Sequence, residues 1–268
     1  MKKIYLVLFV IYANAVKAQE LFVYTEPASN MAAKSIGLRL NHYWMRETEV
    51  NQTNYHLLPE IMWGVSKNVM IHAEGFMSNQ QKGFTLEGGA LYAKYRVFSI
   101  DDVHSHFRVS AFGRYSFNNS EIHQQAIDFN GHNTGYEGGM VVTQLVKKVA
   151  VSASSSILYA KDNGTEKFTY EDKNRKAFNY TFSVGKLLLP KEYTSYGQTN
   201  MNCMLELLGQ TSLGNGYTFL DVAPSVQFIL NSRVRLDLGY RFPLIHSLQR
   251  TAARGVLLRM EYNIFNLY

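Results

Sequence analysis

The chain has 268 residues, of which 46% are hydrophobic and 13% aromatic, and this length suits one β domain and is short for two. Its formal net charge of +6 falls to +3, with 24 basic against 21 acidic residues, once Lys2, Lys3 and Lys17 are removed with the N-terminal signal described next. So mild a balance does not indicate nucleic-acid binding, and the single cysteine, Cys203, excludes an internal disulfide scaffold.

The N-terminus has the pattern of a signal peptide. Lys2 and Lys3 form a basic start, residues 4–13 are apolar, and residues 16–18 (Val-Lys-Ala) are a small-x-small cleavage site. The apolar run is too short to cross a bilayer comfortably, although a membrane anchor is the alternative interpretation. No later run of about eighteen apolar residues predicts a transmembrane helix. We therefore predict a cleaved signal peptide at 1–18.

The next segment, residues 19–33, is polar, contains Pro27 and does not alternate cleanly. We predict that it is a periplasmic N-terminal segment or a small plug.

The remainder, residues 34–268, alternates between apolar and polar residues in about twelve segments. The last is the clearest, because its alternate positions are Val256, Leu258, Met260, Tyr262 and Ile264. A period of two is typical of a strand with one apolar face and one polar face. The first predicted strand starts near residue 35, and the third starts at residue 69. The others cover residues 55–65, 84–97, 107–117, 135–146, 149–160, 177–189, 200–210, 217–230, 233–242 and 254–266. The pattern predicts an all-β fold, a transmembrane antiparallel up-and-down β-barrel of about twelve strands.

The connections between these segments are sorted by length. Tight turns fall near 66–68, 147–148 and 231–232, whereas long polar connections fall at 118–133 and 161–176. With twelve crossings, the tight turns all lie on one side and the long loops on the other, as in outer-membrane barrels with short periplasmic turns. Within the strands, Pro59 predicts a bulge or bend, and Gly88 with Gly89 predicts strong bending.

Three segments carry a resemblance to a known family: Thr25–Met31, Asp101–Phe107 and Leu205–Gln210. With them, nearly all of the mature chain resembles bacterial outer-membrane β-barrel proteins distantly similar to the phenol-degradation meta-pathway outer-membrane transporter family. The last strand, ending at the aromatic Tyr268, also resembles the closing strand that the outer-membrane assembly machinery reads. The resemblance implies the outer membrane of a Gram-negative bacterium and a transport role, and it implies no catalytic or binding residues.

Charged residues collect on the polar faces of the predicted strands. A charge facing lipid near the midplane would cost roughly 2–4 kcal/mol, so these side chains should point into the lumen. The predicted pore-lining residues are Arg39, Glu74, Arg108, Arg114, Glu206, Arg235, Asp237, Arg241, Arg259 and Glu261, and further inward charges are Lys94, Arg96, Asp221 and Arg233. If the loop between the last two strands centres near Leu248, Asp237 comes within reach of Arg259. Two interpretations stay open: a basic-leaning lumen that guides small anionic solutes, and charges that neutralise each other and fill a narrow interior.

Motifs for metal binding or catalysis are few. His104 and His106 would point the same way on a strand and could share a zinc or copper ion, although polar residues at a strand end need no such role. Ser105 lies on the opposite strand face from both histidines, and the chain contains no Gly-x-Ser-x-Gly motif. We therefore expect no enzyme and no cofactor.

These observations predict a pore or transporter for small solutes, anionic or aromatic ones among them. Its expected partners are outer-membrane lipid, the assembly machinery, which would read the C-terminal strand, and a small-molecule solute, with no nucleic acid. One alternative is a non-conducting structural or adhesion barrel that acts through its extracellular loops. A second alternative is a membrane-embedded lipid hydrolase.

Overall fold

The computed structural model describes residues 22–47, 52–80, 83–102, 105–168, 170–192, 195 and 197–267. The predicted signal peptide, His104 and Tyr268 lie outside these residues. Twelve strands follow one another within the described part of the chain. They are β1 (Ser35–Glu47), β2 (Thr53–Gly64), β3 (Val69–Ser78), β4 (Thr85–Asp101), β5 (Ser105–Asn118), β6 (Gly135–Val146), β7 (Val149–Ala160), β8 (Lys176–Leu189), β9 (Asn200–Ser212), β10 (Thr218–Leu230), β11 (Val234–His246) and β12 (Ala252–Ile264).

The strands form one closed antiparallel barrel. Each strand pairs with the next along the chain, and β12 closes the sheet on β1, with Ile36 opposite Ile264 and Leu40 opposite Met260. Closure leaves no strand edge unpaired, and an unpaired backbone group in hydrocarbon costs several kcal/mol. The prediction of an up-and-down barrel with twelve strands is confirmed.

The outer surface of the barrel is apolar. Large hydrophobic side chains such as Leu38, Ile61, Leu91, Leu205 and Leu238 are between 46% and 61% exposed on this surface, whereas the neighbouring residues of each strand point inward. A water-soluble protein would bury these side chains, but a barrel in lipid presents them to the acyl chains. The barrel is therefore of the outer-membrane type.

Helical structure in the described residues is limited to a single 3₁₀ turn, Asp172–Arg175. None of the described helical segments has the length and apolar character needed to cross a membrane.

The two ends of the barrel differ in the length of their connections. At the end we call the short-turn end, the strands are joined by residues 65–68, 102–104, 147–148, 190–199 and 231–233. At the other, the long-loop end, the connections include 119–134 and 161–175. The predicted sorting is confirmed, although the connection 190–199 is longer than a tight turn.

Two irregularities were predicted inside strands. At Pro59 a bulge or a bend was predicted, and the bulge is absent. Leu57 pairs with Met77 and Glu60 with Glu74, so the register between β2 and β3 is the same on both sides of Pro59, although Leu58 and Pro59 themselves have no pairs in this ladder. The ring of Pro59 is accommodated by Gly75, where an added Cβ would lie 3.4 Å from its Cγ.

The second predicted irregularity is confirmed. Phe76 pairs with Gly88, but Met77 pairs with Leu86, so one extra residue of β4 forms a bulge beside the two glycines. A Cβ on Gly88 would lie 2.1 Å from the carbonyl oxygen of Phe117, so only glycine permits this close approach of β4 to β5.

Candidate functional site

The charged residues predicted from the strand pattern lie on the inward faces of the barrel wall. Seven of the ten are buried, namely Arg39, Arg108, Glu206, Arg235, Asp237, Arg259 and Glu261, and the other three, Glu74, Arg114 and Arg241, are half-buried. Lys94 and Asp221 are also inward and buried. Arg96 is half-buried and donates to the backbone carbonyl of Lys67 at the short-turn end. The prediction for Arg233 is wrong, since β11 begins one residue later and Arg233 is exposed in the preceding turn.

Residues 22–31 cross the interior, because they bond to inward side chains from strands all around the barrel. The strongest anchor is Glu206 of β9, which is fully buried. Its Oε1 accepts the backbone N–H groups of Val23 and Tyr24 at 2.9 Å each. Its Oε2 accepts the backbone N–H of Thr25 at 2.9 Å and the Thr25 hydroxyl at 2.8 Å. A carboxylate that accepts several N–H groups forms short, charge-assisted hydrogen bonds, so it fixes this end of the segment.

Lys94 of β4 holds the middle of the segment. Its Nζ donates to the carbonyl oxygens of Pro27 at 2.7 Å and Ser29 at 2.9 Å, and it lies 3.5 Å from a carboxylate oxygen of Glu26. Burial by itself raises the pKa of the Glu26 carboxyl, but the cations Lys94 and Arg39 outweigh burial and bring the pKa below its ordinary value of 4.5. Glu26 is therefore ionised at neutral pH.

Further wall residues bind the backbone of Phe22 and Ala28. Arg235 donates to the carbonyl oxygen of Phe22 at 2.6 Å. The N–H of Ala28 donates to Thr143 Oγ1 at 2.8 Å, and its carbonyl accepts from Ser110 Oγ at 2.6 Å. Polar wall residues thus satisfy the backbone of a segment that forms no sheet of its own.

Arg39 of β1 links the segment to the charges on the wall. Its Nη1 lies 3.0 Å from oxygens of both Glu26 and Glu60, and its Nε lies 2.9 Å from Glu261. Nδ1 of His72 lies 2.5 Å from the other oxygen of Glu60. Several charges that the sequence placed in the lumen are therefore engaged with each other and with the N-terminal segment.

The contact expected across the last hairpin is present. Asp237 and Arg259 are direct partners in the β11–β12 ladder, and Arg259 Nη1 lies 3.7 Å from Asp237 Oδ2. Asp237 is bound more closely by Arg235, with Nε to Oδ1 at 3.0 Å and Nη2 to Oδ2 at 2.8 Å. Arg259 also donates from Nε to Asn41 Oδ1 at 2.6 Å.

The connection between β5 and β6, residues 119–134, folds into the long-loop end of the barrel. Gln210 of β9 accepts the N–H of Ile127 at 2.8 Å and donates to its carbonyl oxygen at 2.8 Å. Ile127 and Phe129 are buried in an apolar cluster with Leu158. Arg114 donates to Asn130 Oδ1 at 2.8 Å.

A cavity of about 300 Å³ lies between the N-terminal segment, this connection and the barrel wall. Charges of both signs line it in nearly equal numbers. They are Glu26, Glu47, Glu60, Glu74, Asp128, Glu137, Arg39, Arg114, Arg241, Arg250 and Arg259.

Sequence reasoning missed several of these charges. Glu60 and Glu137 lie on strands whose apolar pattern is interrupted, by Pro59 in β2 and by paired glycines in β6. Their inward positions could have been found by extending the alternation across the interruption. Asp128 and Arg250 lie in connections, where no period predicts the direction of a side chain.

The donor atoms of Glu60, His72 and Glu74 come within 4.8 Å of one another, close enough to share a metal ion. Nitrogen and carboxylate donors suit zinc. However, Arg39 binds Glu60 and Arg114 binds Glu74, so two guanidinium cations already neutralise these carboxylates. We assign no metal to this group.

The other metal candidate stays a prediction. His106 is buried, and its Nδ1 lies 3.0 Å from Asp101 Oδ1, a carboxylate that also binds Arg108. Its proposed companion, His104, lies outside the described residues.

Comparison with known proteins shows similarity in fold. No protein-family model matches the chain, and no curated protein is significantly similar to it in sequence. Among solved structures, an outer membrane channel from Pseudomonas putida F1 matches with a TM-score of 0.57 and 10% identity, over 91% of this chain and 100% of that one. The NanC porin matches with a TM-score of 0.51 and 11% identity, over 86% of this chain and 100% of that one. At identities this low, the structural similarity shows that the chains share a barrel fold.

Proposed function

We propose that this protein is a passive channel of the outer membrane for small polar solutes. The observation that carries the proposal is a barrel that is apolar outside and encloses a charged cavity of about 300 Å³. Small barrels are filled by their own side chains, whereas larger ones leave a lumen. The fold shared with an outer membrane channel and a porin supports the same role. The proposed role involves no catalytic step.

In this proposal the short-turn end faces the periplasm and the long-loop end faces outward, as in other outer-membrane barrels. Residues 22–33, which lead into β1 at its periplasmic end, then act as a plug that narrows the lumen. The closing strand, β12, is the element that the assembly machinery would read. The apolar belt contacts outer-membrane lipid.

Selectivity follows from the lining. Because acidic and basic residues are nearly balanced around the cavity, we expect weak discrimination between simple anions and cations. The cavity is at the small end of the range for ligand pockets, roughly 300–1,000 Å³, so solutes must be small. The resemblance to the phenol-degradation meta-pathway transporter family makes small aromatic solutes one class to include in a screen.

The second candidate is a non-conducting barrel that acts through its outer loops. It is favoured by the N-terminal segment and the connection 119–134, because both occupy the interior. The two candidates differ in whether the space left between these elements carries ions across the membrane.

Single-channel recording in a planar bilayer tests the proposal. We expect small discrete current steps from the protein and larger steps from a variant that lacks residues 19–33, since deletion removes the proposed plug. Folding of each protein is checked by its heat-dependent mobility in gel electrophoresis. Folded protein that carries no current in either form would overturn the channel and favour the second candidate.

A further inference from the structure

A small pocket of about 90 Å³ adjoins the main cavity. Its lining combines apolar residues, such as Leu208 and Val256, with the charged side chains of Arg241 and Asp128 and the imidazoles of His56 and His132. Tyr24 of the N-terminal segment also lines it. Three of these groups are suited to bind a polar ligand.

Arg241 is the first. Its Nε lies 2.5 Å from Asp221 Oδ2, and Arg250 binds the same carboxylate through Nη1 at 2.5 Å and Nη2 at 2.8 Å. One fully buried carboxylate therefore serves two guanidinium groups. Within the described residues, neither terminal amino group of Arg241 has a hydrogen-bond acceptor. A guanidinium with a free edge is suited to bind a carboxylate through two parallel hydrogen bonds.

Asp128 is the second. Its Oδ1 accepts the backbone N–H of Asn130 at 2.8 Å. Burial raises the pKa of this carboxyl, but His132, the hydrogen bond from Asn130 and two arginines together lower it by more. The net pKa therefore lies below the ordinary value of 3.8. Asp128 and Arg241 line the same pocket, yet in the described part of the chain they do not form an ion pair. The protein thus holds opposite charges apart across a small space.

Tyr24 is the third. Its hydroxyl is buried and has no hydrogen-bond partner among the described residues. Burial raises the pKa of the phenol above its ordinary value of 10.0, so the hydroxyl keeps its proton and can donate it. Gly239 leaves room for the ring, since a Cβ there would lie 2.7 Å from Tyr24 Cε2. A buried hydroxyl without a partner is costly, and a turn of the side chain towards a ligand oxygen would relieve that cost.

We propose that this pocket binds a small zwitterion of the α-amino acid type. The carboxylate of the ligand lies against the free edge of Arg241 and accepts from the Tyr24 hydroxyl, while its ammonium group faces Asp128. A short side chain packs towards Leu208 and Val256. This inference rests on the proposed channel function and names the solute class that would pass through it.

Saturation-transfer NMR on the folded protein in detergent tests the pocket, with L-alanine and lactamide as probes. The two molecules have nearly the same size, but lactamide carries neither charge. We expect transfer to alanine to exceed transfer to lactamide several-fold. Arg241→Gln and Asp128→Asn should each remove most of this difference, and Tyr24→Phe, which deletes one unpartnered hydroxyl and leaves the ring, should reduce it.

Matched controls are Arg254→Gln and Glu121→Gln, which change exposed residues outside the pocket and should behave as the wild type. Equal transfer to alanine and lactamide, or full transfer in Arg241→Gln and Asp128→Asn, would overturn the zwitterion pocket. Binding of alanine by a folded barrel that carries no current would leave the pocket standing and refute the channel. Current without preferential binding of alanine would support the channel and overturn the zwitterion pocket.

Discussion

Glu206 of β9 accepts the backbone N–H of Tyr24 at 2.9 Å, so a wall residue in the middle of the barrel fixes a segment from the start of the chain. The same carboxylate binds Val23 and Thr25. An inward charge on a barrel strand thus has a structural partner inside the lumen. The position of the N-terminal segment, and with it the shape of the interior, depends on this contact.

Glu206→Gln should loosen the N-terminal segment. Glutamine keeps one acceptor oxygen but loses the negative charge, and hydrogen bonds to charged groups contribute about 1.5–3 kcal/mol each. We expect the free energy of unfolding to fall by about 2 kcal/mol and the single-channel conductance to rise. Glu166→Gln, at an exposed loop position, is the control and should change neither quantity. Unaltered conductance in folded Glu206→Gln would show that the segment does not limit the current.

Acid should release the same segment. Lys94 and Arg39 bring the pKa of Glu26 below 4.5 in the folded protein, against the opposing effect of burial. A lowered pKa means that ionised Glu26 stabilises the fold fully above pH 4.5, and that this contribution is lost as the pH falls further.

The measurement is conductance against pH in wild type and Glu26→Gln. We expect wild-type conductance to rise as the pH falls below about 4.5, and the variant to be more conductive at neutral pH with a smaller acid response. Glu121→Gln should keep the wild-type profile. Identical pH profiles for wild type and Glu26→Gln would contradict the role of this ion pair.

Gln210→Leu should free the connection 119–134 from the wall. The glutamine side chain binds both backbone groups of Ile127, and leucine can replace neither hydrogen bond. Each lost bond contributes about 1 kcal/mol, so we expect a larger and noisier current from a barrel that still folds. Gln144→Leu is the control, because Gln144 contacts Ser105 at the short-turn end. Identical current traces from the two variants would contradict this role of Gln210.

Leu91→Arg should hinder insertion into lipid. Leu91 lies near the middle of β4 on the outer surface and is 61% exposed. An arginine facing lipid at the midplane costs about 2–4 kcal/mol, which falls to about 0–1 near the interfaces. Folding titrations in lipid vesicles should therefore show that Leu91→Arg lowers the free energy of folding into the membrane by this amount. Leu213→Arg, in the connection between β9 and β10, should change it little. Equal effects at both positions would argue against a lipid-facing belt.

The sequence by itself determined the barrel. Alternation of apolar and polar residues is a local property, since successive side chains of any strand point to opposite faces. Val256, Leu258 and Met260 predict the outer face of β12 without knowledge of its neighbours. The same reasoning placed Arg39, Glu206 and Arg235 inside, and the lengths of the connections sorted the two ends. It failed on the bulge at Pro59, which is absent, and one residue beyond a strand, at Arg233.

Only the tertiary structure decided what fills the barrel. Val23 and Glu206 are 183 residues apart in the chain, and no periodic pattern links them. The fold of residues 22–31 and of the connection 119–134 depends on contacts with several strands at once. The pocket formed by Tyr24, Asp128 and Arg241 draws on both of these segments and on β11. A local period tells which way a strand residue points, but the partner it meets is set by closure of the whole barrel.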